Sequence, residues 1–383
     1  MYYFQQRYIK EGKVFPGTAG LETVELPNKG LLSGIQLRTI CKTGDHGGAC
    51  DMWTHDWLKK IELIVNGSQV VVSLTGDQIL ALMHYKHIPK TNWEELNLID
   101  DYQREHFYIP LGRYYHDPDY CLDLGRVNDP ELRIEYDFTL TTKNGWANGF
   151  AAGVGVDQSY YVTPHMMRES EHPVKGYIKS SEIYRYTSGP AKSENMVIPR
   201  GPVYGNLYVQ AWQRANGFEN CCDTLEVNID NDLIIPFHQS AQAVMSDLIR
   251  QYGYFEGDIC IEVVGNQNHP IPIEAGVVQG HMETAGDYDV KHAFCGNNGW
   301  WVKTVLHSTG AGTNDVTEVS LHFRGALPYS VAAVPTLDLM DERTWVKSKE
   351  LGDFWVRGEG AAGCLTTTTV KLLGDEIVTG YSG

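Results

Sequence analysis

A chain of 383 residues is long enough for two domains of ordinary size, and its formal net charge of −17 argues against a nucleic-acid-binding surface, which needs clustered Lys and Arg. Apolar residues at 42% and charged residues at 21% exclude a disordered chain. No uncharged stretch approaches the roughly 18 residues that cross a bilayer as a helix.

In chain order, Met1–Phe4 is aromatic, but Gln5, Gln6 and Arg7 interrupt it before a secretory signal can form. The chain is therefore expected to be made and folded in the cytosol. Met1–Phe15 carries Arg7, Lys10 and Lys13 against Glu11 alone, a basic arm on an acidic protein. Gly34–Ile40 alternates as a strand. Ile61–Val65 and Val70–Leu74 flank Asn66-Gly67-Ser68, a strong hairpin signal because Asn and Gly tolerate positive φ. Thr75-Gly76-Asp77-Gln78 reads as a capping box that starts a short helix. Leu132–Phe138 alternates as a half-buried strand. Ser240–Tyr252 carries a helical apolar stripe through Val244, Met245, Leu248, Ile249 and Tyr252. Gly145–Pro173 and Gly265–Gly299 read as long loops, rich in Gly, Asn, His and Pro. Trp300 and Trp301 follow the second loop and read either as interface anchors or as core aromatics of the next strand.

The two halves repeat one order of elements. Val24-Glu25-Leu26-Pro27 matches Met196-Val197-Ile198-Pro199. At the same spacing along the chain, Ile35 and Leu37 fall on Leu207 and Val209. The hairpin at Asn66-Gly67-Ser68 matches one at Asp230-Asn231-Asp232, with Leu63 on Val227, at a spacing shortened by a briefer loop. A single short helix follows each hairpin. Leu132, Ile134 and Tyr136 are matched to Val319, Leu321 and Phe323, with an insertion expected near Asp258–Gly299. These matches predict an all-β chain in three parts: an arm over 1–16, one β-domain over 17–189 and its copy over 190–383.

The run Asp56-Trp57-Leu58-Lys59-Lys60-Ile61-Glu62-Leu63-Ile64-Val65-Asn66-Gly67-Ser68 through Asp77, repeated in Leu225–Tyr252, resembles the double jelly-roll major capsid proteins of tailless icosahedral viruses. That lineage includes tectiviruses, corticoviruses and the adenovirus hexon. The resemblance implies two consecutive jelly-roll sandwiches, each with one short helix after its first hairpin. It implies a homotrimer of pseudo-hexagonal outline that tiles an icosahedral capsid, with penton and minor capsid proteins as further partners. It places the protein in a virion, that of a bacteriophage, assembled in the host cytoplasm. Host-receptor contact need not run through this chain. The arm residues Tyr2, Tyr3, Phe4, Arg7, Lys10 and Lys13 would face an inner membrane or the genome.

An enzyme is the competing class. No HExxH, GxSxG, Walker loop or GxGxxG is present. His84 and His87 lack the H-x-H spacing of a cupin metal site. Asp287, Asp289, Asp341 and Glu342 are glycosidase carboxylates by type alone. The eight Cys include no CxxC pair, which argues against a zinc ribbon and favours reduced, buried thiols. The expectation is a non-catalytic protein with no cofactor and no metal. The alternative is a carbohydrate-binding or glycan-degrading β-sandwich, such as a phage receptor-binding protein.

Overall fold

The computed structural model describes residues 2–42, 53–89, 96–97, 102–140, 142–143, 146–147, 158–169, 173–212, 218–264, 268–272, 278–284, 292–296, 301–305 and 316–380. The first half contains β1 (Tyr3–Gln6), β2 (Lys10–Val14), β3 (Ala19–Glu25), β4 (Leu31–Lys42), α1 (Thr54–Trp57), β5 (Leu58–Val65), β6 (Gln69–Leu74) and α2 (Gly76–Tyr85). It continues with β7 (Leu96–Asn97), β8 (Tyr102–Pro110), β9 (Leu122–Asp123), β10 (Glu131–Asp137), β11 (Thr142–Lys143), β12 (Trp146–Ala147) and β13 (Ser159–Arg168), and β14 (Gly176–Thr187) leads into the second half. The second half contains β15 (Ser193–Val197), β16 (Val203–Trp212), α3 (Phe218–Cys221), β17 (Thr224–Ile229), β18 (Ile234–Ser240) and α4 (Ala241–Tyr252). Then come β19 (Phe255–Val264), β20 (Asn268–Pro272), β21 (Val278–Thr284), β22 (His292–Gly296), β23 (Trp301–Val305), β24 (Val316–Gly325), β25 (Val331–Ala333), β26 (Val346–Lys347), β27 (Phe354–Glu359) and β28 (Thr369–Thr379).

Local chemistry sets the hairpins and helices. Asn66 and Gly67 turn the first hairpin at φ 53° and 76°. Asp230, Asn231 and Asp232 turn the second at φ 55°, 51° and 66°, which short polar side chains tolerate best. Gln78 Oε1 accepts from the Thr75 amide at 3.0 Å and starts α2. Ser240 Oγ accepts from the Ala243 amide at 3.4 Å and starts α4, which ends at Gly253 with φ 83°.

Each half is a sandwich of two sheets. One runs β3-β10-β5-β6 and has its counterpart in β15-β27-β17-β18. The other runs β1-β13-β4-β8, with β2 also on β13 and β9 also on β4. Its counterpart is β14-β28-β16-β25, with β26 also on β16. Pairing registers repeat residue by residue. Leu132 lies between Val24 and Leu63, and Val356 lies between Met196 and Val227. Both β4 and β16 carry a bulge at the same place, with one residue skipped between Leu32 and Gly34 and between Tyr204 and Asn206. The equivalences expected for β3, β4 and the first hairpin strand are thus those of the pairing registers.

Three sequence expectations need correction. The equivalent of Leu132 is Val356, and not Val319. Val319 lies in β24, which pairs with β19 and β21 in a separate sheet, β22-β21-β24-β19-β7. The insertion therefore extends from Phe255 to Gly325. β27 gives no sequence signal because Phe354, Trp355 and Val356 are all buried, so no alternation marks it. Gly145–Pro173 contains β13, the strand between β1 and β4, and Gly265–Gly299 contains β20, β21 and β22.

The two sandwiches are fused. β6 pairs in parallel with β14, Val72 opposite Ser180 and Ser73 opposite Ser181. This makes one nine-stranded sheet of strands from both halves. The apolar core is likewise continuous, with Val24, Leu63, Leu132, Leu207, Val356 and Leu372 all fully buried in one cluster.

Candidate assembly surfaces

The N-terminal arm is laid down as strand. β1 and β2 pair antiparallel with β13, Gln6 opposite His165 and Lys13 opposite Tyr160. Phe4 is half-buried and stacks on His116, ring centroids 4.0 Å apart and 6° from parallel. Tyr115 stacks on His116 at 3.8 Å, and its hydroxyl accepts from Gln6 Nε2 at 3.3 Å. Tyr2, Tyr3, Arg7 and Lys13 are exposed, and Lys10 is half-buried. Trp301 opens β23, and Trp300 lies outside the described residues.

His165 anchors the arm from beneath. It is buried, and its Nδ1 sits 2.9 Å from His116 Nε2. Burial, with His116 second, pushes its pKa down to about 4. The unfolded chain then takes up a proton near pH 6.5 while the folded chain does not. Stability is full above pH 6.5, falls as the pH drops to about 4 and levels off below it. The expected loss is about 3 kcal/mol. Urea-unfolding midpoints against pH should show it in the native chain and show much less of it in His165→Gln.

A second set of side chains locks the halves together. α2 is almost wholly buried. Gln78 Nε2 donates to Gln210 Oε1 at 2.9 Å, and Gln210 Nε2 donates to Asp77 Oδ2 at 2.9 Å. Tyr85 Oη donates to the Val331 carbonyl at 2.6 Å. Lys86, just past the helix, is fully buried with its Nζ 3.1 Å from Asp375 Oδ1 and 3.2 Å from Ser180 Oγ. Tyr208 Oη donates to the other Asp375 oxygen at 2.8 Å. Burial depresses the Lys86 pKa, and Asp375 opposes that shift. Outside, Arg113 Nε donates to Asp117 at 2.7 Å, and Lys175 Nζ donates to Glu342 across the halves at 2.9 Å. Sequence reading misses Lys86, Gln210 and Asp375. A lone Lys after a helix or an Asp in a strand gives no local sign of burial.

Among the described residues, two sheet edges carry exposed apolar side chains. β18 is an end strand of its sheet. At its start Leu233, Ile234 and Ile235 are 78%, 49% and 47% exposed. β1 ends the other sheet, with Tyr2 and Tyr3 45% and 51% exposed.

The carboxylates considered for glycoside chemistry serve in ion pairs where they are described. Asp341 holds Arg343 at 2.7 Å, and Glu342 holds Lys175. Asp287 and Asp289 lie outside the described residues. His84 and His87 line a small cavity with Leu80, Tyr252 and Phe255. Among the described residues, no group of three or more His, Cys, Asp or Glu could hold a metal ion, and no helix is long and apolar enough to cross a membrane. Cys41, Cys121, Cys221, Cys222 and Cys364 are buried thiols.

No family model and no curated protein matches the chain. Solved structures do. The major capsid protein of Sulfolobus turreted icosahedral virus is similar over 99% of this chain and 98% of that one, with a TM-score of 0.61 at 10% identity. Major capsid protein P2 from bacteriophage PM2 is similar over the full length of both chains, with a TM-score of 0.51 at 11% identity. PBCV-1 VP54, as fitted into the virophage Sputnik, is matched over 95% of its own length at a TM-score of 0.54 and 9% identity. The chain therefore has the double jelly-roll fold of these capsid proteins.

Proposed function

We propose that this protein is the major capsid protein of an icosahedral virus. The observation that carries the reading is the duplication in matching register. Two near-equivalent sandwiches, fused side by side, give three chains six similar wedges, and a hexagonal outline tiles a shell. Every solved structure cited above is a capsid protein, and each is matched over nearly its whole length. The finer reading is a homotrimeric capsomer of a phage virion, assembled in the host cytoplasm beside penton and minor capsid proteins, with no catalytic role. By the pairing registers the two repeats divide between β13 and β14, ahead of the Ser188-Gly189-Pro190 expected from the sequence. Lys10 and Lys13 supply positive charge towards the genome or an inner membrane, and Trp300 and Trp301 contribute to contacts between chains. Mass measurement in solution with negative-stain imaging tests the reading. A stable three-chain particle of hexagonal outline is expected. A monomer that binds or cleaves glycans would overturn it.

A further inference from the structure

The contact between the two halves of one chain rests on a strand that has a counterpart in the arm. β14 pairs with β28 in the register by which β1 and β2 pair with β13. Gln6 stands opposite His165 as Ser180 stands opposite Asp375, and Phe4 opposite Met167 as Ile178 opposite Ile377. Lys10 stands opposite Val162 as Tyr184 stands opposite Leu372. His165 and Asp375 are themselves equivalent, because they pair with Gly34 and Asn206 at the two matching bulges. The arm is thus the first repeat's copy of β14.

Inside the chain, β14 does more than cover β28. Its outer edge takes β6 of the other repeat in parallel. The counterpart of β6 is β18, since Leu63 faces Val72 as Val227 faces Phe237. Among the described residues neither counterpart has this partner: β1 and β18 are end strands of their sheets. Their exposed side chains also correspond. Tyr177 is buried where its hydroxyl accepts from Gln69. The counterparts of those two residues are Tyr3 and Ile234, which are 51% and 49% exposed. Leu233, Ile235 and Tyr2 extend the same two patches.

We propose that the open edge of β18 takes β1 of a second copy of this chain in parallel, with Gln6 opposite Phe237 and Arg7 opposite His238. Tyr2 and Tyr3 then cover Leu233, Ile234 and Ile235. Pro236, which lacks an amide proton, precedes the paired residues and corresponds to Val71, which is outside the β6–β14 ladder. The contact is heterologous, so it propagates head to tail and closes when the rotation per chain allows. Three chains close it if the junction between chains repeats the one within them. The inference rests on the trimer proposed above and names the strands that make it.

Two experiments on the full-length chain test it. Arg7→Cys protein mixed with His238→Cys protein and a short bismaleimide should give a covalent two-chain product. Each variant alone should not, nor should Arg7→Cys mixed with Val197→Cys, on the opposite sheet edge. The double variant Leu233→Asp/Ile235→Asp should be monomeric, with native circular dichroism and an unfolding midpoint equal to that of native monomer. A trimer that gives no cross-link and survives the aspartates overturns the strand contact but not the capsomer. A native chain that stays monomeric at all concentrations overturns both.

Discussion

Replacing Lys86 with Met should lower the stability of the chain by about 3–5 kcal/mol, among the largest losses open to a single side chain here. Lys86 and Asp375 are both fully buried, and Asp375 is held by the Lys86 ammonium and by the Ser180 and Tyr208 hydroxyls. Met fills most of the lysine's volume, so the cost is chiefly electrostatic. It leaves a carboxylate in the core with two neutral donors and no counter-charge. The partner substitution separates charge from packing. Lys86→Met/Asp375→Asn removes the stranded charge, keeps one hydroxyl bond at the amide oxygen and lets the other hydroxyl turn to accept from Nδ2, so most of the loss should return. Urea-unfolding midpoints of the native, single and double proteins measure this. Equal losses in the single and double variants would show that the lysine acts through shape alone. The residues involved come from the end of α2 in one half and from β14, β16 and β28 around the other. The single variant should therefore also broaden the transition, as the halves begin to unfold separately.

Elements that carry their own local signal are legible in the sequence. Asn66-Gly67 and Asp230-Asn231 announce turns, and Thr75 and Ser240 announce helix starts, because positive φ and unpaired amides select particular side chains. Strands wet on one face are legible through alternation, as in Glu131–Asp137. Strands buried on both faces are not, which is why the alternating Val316–Gly325 stands out in the sequence and Phe354–Glu359, the true counterpart of β10, does not. The arm illustrates a different limit. Its basic and aromatic residues read as a charged tail, yet Phe4, Gln6 and Lys13 are placed by the register of β13, a strand from the far end of the same repeat. The lock around Lys86 joins residues 289 positions apart, and no local pattern encodes it. Composition does convey the net negative charge of the chain. That leaves the apolar patches at Tyr2–Tyr3 and Leu233–Ile235 as exceptions on an acidic protein.

Gly176→Ala should also be severely destabilising, on the order of 3 kcal/mol or more, although it adds one methyl group. Three backbones meet at this residue. Gly176 pairs with Thr379 on β28, bridges Tyr120 in parallel and accepts from the Cys121 amide at 2.8 Å. A Cβ there would lie 1.9 Å from the Val378 carbonyl oxygen, and no rotamer change can relieve a clash between backbone and Cβ. β14 would have to lift from β28 at its first residue, and β14 is the strand that joins the two sandwiches. Gly189→Ala is the matched control, because its nearest neighbour would be 3.9 Å from the new carbon. Thermal unfolding should place Gly189→Ala with the native protein and Gly176→Ala well below it. The counterpart of Gly176 in the first repeat is Tyr2, an exposed aromatic. At the start of β14 the strand is closed in by its own chain, so only glycine fits. At the start of β1 the same position is open and carries a large apolar ring. That difference is the one expected if the second junction is completed by another molecule.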